Sequence, residues 1–127
     1  MLALRSLFRN PTSFSTYIVI SPSIWIDERA VLADEESFSK RARAGELRLR
    51  VIVTSARDEQ YHGADPKLLA EAQNTRMVDN ASELATRLAA LDPEKIKVSR
   101  IIFDDEVHSS VAPAAVGRAI RLTLPPE

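Results

Sequence analysis

The chain has 127 residues, 45% of them hydrophobic and 28% charged, the proportions of one ordinary globular domain. Its net charge of −1 gives no basic footprint for nucleic acid or an anionic membrane, and the lack of cysteine excludes disulfides, thiolate zinc sites and thiol nucleophiles. The three glycines, Gly45, Gly63 and Gly117, fall short of the roughly nine of average usage and lie too far apart for a phosphate-cradling loop or a G-x-S-x-G elbow.

Apolar residues at 2, 4, 7 and 8 predict a helix over 2–9 that stops before Asn10-Pro11 and has no capping residue at its start. With Arg5 and Arg9 inside it, this segment is too short for a signal sequence or a membrane span. No other segment approaches ~18 consecutive apolar residues, so the chain reads as soluble and cytoplasmic. The run Y-I-V-I at 17–20, closed by Ser21-Pro22, predicts a strand, and 27–44 predicts a helix ended by Gly45. Alternation from Leu47 that becomes continuously apolar by Val53 predicts a strand covered on both faces. Residues 54–74 read as a long polar connection, and no role is assigned to its His62. Apolar positions 77, 81, 84, 88 and 91 predict an amphipathic helix of about four turns. A strand over 96–103 and a helix over 111–124, with Pro113 in its first turn, complete the chain.

Strands alternating with helices predict a single α/β unit over 1–127, about three parallel strands flanked by helices in three layers. In such sheets functional residues gather beyond the carboxyl ends of the strands. Three such places occur: Ser21 to Trp25, Ser55 to Gln60, and Asp104 to His108. A carboxylate from the second and the imidazole from the third would meet on that rim, which is the acid–histidine logic of a serine hydrolase. Each residue also has a plainer reading. A lone histidine in a loop is more often solvated, the Asp104-Asp105-Glu106 run is a solvated turn for at least two of its members, and Ser21 and Ser23 suit turns better than nucleophiles. Trp25 suits packing or a pocket wall. One histidine among acids is a weak metal set, so neither metal nor cofactor is expected. A receiver domain carries its paired acids near the start of the chain, not near the end, and is rejected.

Four stretches carry a resemblance. F-S-T-Y-I-V-I-S-P-S-I-W at 14–25, R-D-E-Q at 57–60, M-V-D-N at 77–80 with Leu84 and Leu88, and F-D-D-E-V-H at 103–108 occur in this order along the chain. They resemble the F-x-x-Y-x-x-x-S-P-S-x-W, Glu-Gln, M-V-x-N-A-x-x-L-x-x-x-L and F-x-G-E-x-H landmarks of the esterase D and enterobactin-esterase-like α/β-hydrolases. The resemblance implies that His108 is the catalytic base, that Glu59 or Asp58 is its acid, and that Ser23 and Trp25 face a small-molecule ester. Ala56-Arg57-Asp58 and Asp105 stand where that family favours glycine.

The family's nucleophilic serine lies in a G-x-S-x-G-G turn running into a helix, and residues 1–8 look like that helix. The chain is therefore expected to be the C-terminal half of a hydrolase, inactive alone and prone to self-association through an exposed sheet edge. A non-catalytic α/β remnant or interaction module is the alternative.

Overall fold

In the computed structural model, which describes residues 1–61 and 65–124, three strands lie in one sheet in the order β1-β2-β3, and both pairings are parallel. The strands are β1 (Thr16–Ile20), β2 (Leu49–Ala56) and β3 (Ile96–Phe103). The continuously apolar segment is the middle strand: from Val51 to Ala56 every residue of β2 is buried. Ile20 pairs with Thr54, and Thr54 with Ile101, so the three carboxyl ends and the turns after them share one rim.

The described residues form five α-helices: α1 (Leu2–Arg9), α2 (Glu35–Arg43), α3 (Pro66–Thr75), α4 (Met77–Ala89) and α5 (Val111–Thr123). Alternation along the strands gives each face its own cover. Tyr17, Val19, Val51 and Val53 join Leu4, Leu7, Phe8, Phe38, Leu84 and Leu88 in one apolar cluster, so α1, α2 and α4 cover one face. Ile52, between Val51 and Val53, points the other way, towards the face on which α5 buries Val111, Ala115 and Ala119. Helix α2 closes in a Schellman turn: Gly45 N–H donates to Ala42 O, Glu46 N–H donates to Arg41 O, and Gly45 takes φ +74°.

Two expectations change. The helix foreseen over 27–44 is instead a 3₁₀ segment, Ile26–Asp34, followed by α2. Asp27, Glu28 and Arg29 all adopt left-handed backbone angles there, which no right-handed ladder can include. The connection foreseen over 54–74 contains the end of β2, a 3₁₀ turn at Arg57–Glu59 and all of α3 but its last residue. Asp65 caps α3 by accepting the Lys67 N–H at 2.9 Å, and Pro66 occupies its first turn. Because α3 buries only Ala72, its sequence lacks the apolar stripe that marked α4. His62 lies outside the described residues. No helix among the described residues is long and apolar enough to cross a membrane.

Leu84 is fully buried between α4 and the sheet, whereas Val116 on α5 is 45% exposed. Leu84→Ala is expected to lower the free energy of unfolding by about 2–5 kcal/mol, and Val116→Ala by less than about 0.5 kcal/mol. Urea midpoints of the two variants measure the difference, and equal losses would contradict this core.

Candidate active site

Each strand hands one polar residue to the rim. After β1 the chain turns at Ser21, which has φ +40° and whose N–H donates to Thr54 O at 2.8 Å. Pro22 and Ile24 are buried and anchor this turn, leaving Ser23 half-buried and Trp25 exposed. After β2 the 3₁₀ turn brings the Glu59 side chain back over the strand end, where its Oε2 accepts the Ala56 N–H at 2.8 Å. That contact is one half of a capping box, and it satisfies a backbone donor that the turn would otherwise leave unpaired. The same oxygen accepts the Ser21 Oγ–H at 2.8 Å. After β3, a turn in which Ser110 binds both Glu106 and the Val107 N–H carries His108 back towards the middle strand.

There His108 Nδ1 lies 2.5 Å from Glu59 Oε1. The Glu59 side chain is 2% exposed and that of His108 is 71% exposed. An ionised carboxylate only accepts hydrogen bonds, so this contact assigns the imidazole proton to Nδ1 and leaves the lone pair on Nε2. An imidazole so oriented can take a proton from a hydroxyl at Nε2 and return it to a leaving group. His108 and Glu59 line a cavity of about 250 Å³ together with Ser23, Trp25, Thr75 and Met77. The Trp25 indole N–H donates to Met77 Sδ at 3.2 Å, which fixes the ring edge and turns apolar surface towards the cavity. A larger cavity, about 430 Å³, lies against β1 and α1, and its lining carries no carboxylate or imidazole.

The residues singled out from sequence separate clearly. Glu59, His108, Ser23 and Trp25 share the cavity. Asp58 is half-buried, its side chain makes no hydrogen bond among the described residues, and it is not the carboxylate in contact with His108. Asp104 and Asp105 are exposed, and Asp104 pairs with Arg57 at 2.5 Å across the two rim turns. Three further residues escaped sequence reasoning. Met77 and Thr75 reach the cavity because α4 begins at this rim, and Gln60 ties the acid turn to α4 by accepting the Asp79 N–H at 2.9 Å. The buried Gln60 beside Glu59 was the available signal, since the pair was already visible as a unit.

No family model matches the chain. Against curated proteins it is 32% identical to the ferri-bacillibactin esterase BesA of Bacillus subtilis over 127 residues, all of this chain and 40% of that protein. It is 28% identical to the siderophore enterobactin esterase of Emericella nidulans, covering 94% of this chain and 42% of the relative. Its homologues are siderophore esterases. The siderophore hydrolase EstA from Aspergillus nidulans superposes with a TM-score of 0.82 at 28% identity, covering 94% of this chain and 43% of that structure. The chain thus spans about two-fifths of the length of the relatives it matches, and its three strands with their helices form part of an α/β-hydrolase fold.

Glu59 is the buried acceptor on which three donors converge. Glu59→Ala strands the Ala56 N–H and the Ser21 hydroxyl away from water and is expected to cost about 2–4 kcal/mol of stability. Asp58→Ala should stay within about 0.5 kcal/mol. Denaturant titration compares the two, and an Asp58→Ala loss equal to that of Glu59→Ala would remove the distinction between these neighbours.

Proposed function

We propose that this chain carries the acid–base half of a serine-esterase centre that hydrolyses carboxylic esters of the siderophore class. The reading rests above all on the His108–Glu59 contact of 2.5 Å at the wall of a cavity. It gains support from relatives named as siderophore esterases. In the reaction a serine Oγ bonds to the ester carbonyl carbon while His108 Nε2 takes its proton. Collapse of the tetrahedral intermediate breaks the acyl C–O bond, and His108 Nε2–H protonates the departing alkoxide. Water, deprotonated by the same nitrogen, then releases the acid and restores the serine. Throughout, Glu59 holds Nδ1–H and stabilises the imidazolium. Ser23 and the face of Trp25 contact the ester in the cavity.

Among the described residues no serine hydroxyl, that of Ser23 in the cavity included, is hydrogen-bonded to His108. Ser21 donates to the acid, not to the imidazole, and Ser110 is engaged with Glu106 and Val107. Ser109 is exposed beside His108 with no strained elbow to aim it. The nucleophile and its oxyanion donors therefore come, in this proposal, from polypeptide outside the 127 residues. The same reading gives a use to the second edge of β1, unpaired among the described residues and flanked by exposed Leu2 and Phe14: a further parallel strand seats there. Without it, that edge drives self-association.

A chimera that carries this chain in place of the matching segment of the B. subtilis relative tests the reading. It is expected to hydrolyse p-nitrophenyl acetate and ferri-bacillibactin, with His108→Ala lowering kcat at least ~10³-fold. The 127-residue chain alone should show only background turnover. A folded chimera that is indifferent to His108→Ala, or serine-dependent turnover by the chain alone, would overturn the proposal and leave a non-catalytic α/β module.

A further inference from the structure

The geometry points to Ser21 as a positioning residue of the acid: its buried hydroxyl holds the Glu59 carboxylate so that Oε1, and not Oε2, faces His108. The inference rests on the acid–base reading above and adds a member to it from β1.

A glutamate side chain has three rotatable bonds, and a carboxylate can meet an imidazole through either oxygen. Here the two oxygens have separate duties. Oε2 accepts the Ala56 N–H and the Ser21 Oγ–H, each at 2.8 Å, while Oε1 meets only the imidazole. The backbone N–H fixes the distance of the carboxyl from the strand end. A single donor still leaves rotation about it, and the Ser21 hydroxyl, arriving from a different strand, removes that freedom. Without it, Glu59 is held by β2 alone, and the orientation of His108 loosens with it.

Two features of Ser21 are not explained by a turn. Its side chain is spent on a partner 38 residues away, although a turn-forming serine bonds to backbone within a few residues. Its φ of +40° is one that glycine adopts without steric cost. A turn alone is better served by glycine; a turn that must also present a hydroxyl to a buried carboxylate is not.

This contrast sets the experiment. Ser21→Gly removes the hydroxyl and relieves the backbone, so its thermal midpoint should equal or exceed that of Ser21→Ala. In the chimera both variants should lower kcat about 10- to 100-fold with KM within about twofold. In the 127-residue chain, ¹⁵N-histidine spectra should show a downfield, slowly exchanging His108 Nδ1–H, lost in Glu59→Gln and broadened in both Ser21 variants. If Ser21→Gly melts at or above the wild type with kcat and the Nδ1–H signal unchanged, Ser21 is only a turn residue and the inference fails. If His108→Ala and Glu59→Gln also leave turnover unchanged, the acid–base reading itself fails. Loss of kcat in those two variants with no effect in either Ser21 variant defeats the Ser21 inference alone.

Discussion

A carboxylate with 2% of its side chain exposed is a large electrostatic liability, and the rim of this sheet is organised around removing it. Glu59 gives up its water and recovers hydrogen bonds from a backbone N–H of its own turn, a hydroxyl beyond β1 and an imidazole beyond β3. Leaving such a group buried without partners costs more than most single contacts return, so the three turns are constrained jointly. The pairing register makes this possible: parallel strands bring their carboxyl ends side by side, and the donors on either flank reach the middle strand without long connections. Surface ion pairs are secondary. Arg57–Asp104 joins the same turns, but with both side chains more than half exposed it contributes little beyond steering.

The cavity follows from the same arrangement. Once Glu59 fixes the imidazole, the remaining walls come from the turn after β1 and the junction between α3 and α4. Trp25 and Met77 hold each other across this gap through the indole N–H and the thioether. Gln60, next to the acid, binds the start of α4 and so keeps Met77 at the rim. Adjacent residues thus hold the imidazole and close the cavity: Glu59, the last residue of the short 3₁₀ turn, and Gln60 just after it are both buried.

Much of this was legible because it is periodic. Residues 77, 81, 84 and 88 announced α4, the apolar run before Ala56 announced a central strand, and the strand expected over 96–103 coincides with β3. A parallel sheet then fixed which turns share a rim, and hence that an acid after β2 and a histidine after β3 are neighbours. Choosing Glu59 over Asp58 was beyond composition, since adjacent carboxylates in a turn differ only in the direction the backbone gives them. Helix α3 was missed because one buried alanine leaves no stripe, and the break at 27–29 because nothing in Asp-Glu-Arg signals left-handed backbone. The duty of Ser21 was equally hidden: a serine before proline is a turn residue by every local rule.

The shortage of glycine links composition to the site. Among the described residues, five non-glycine positions take positive φ, Ser21, Asp27, Glu28, Arg29 and Arg76, while Gly45 is the glycine that does. They flank the cavity walls: Ser21 precedes Ser23, the 27–29 turn follows Trp25, and Arg76 separates Thr75 from Met77. Each such residue costs on the order of 1–3 kcal/mol relative to relaxed backbone. Glycine would remove that cost, yet three of the five use side chains that glycine lacks. Ser21 binds Glu59, Arg29 donates to Asn80 at 2.6 Å, and Arg76 donates to Glu83 at 2.6 Å. The tight turns and the contacts they present are therefore coupled. At Ser21, Arg29 and Arg76 the strain persists because the residue that bends the chain beside the cavity also holds a neighbouring side chain in place.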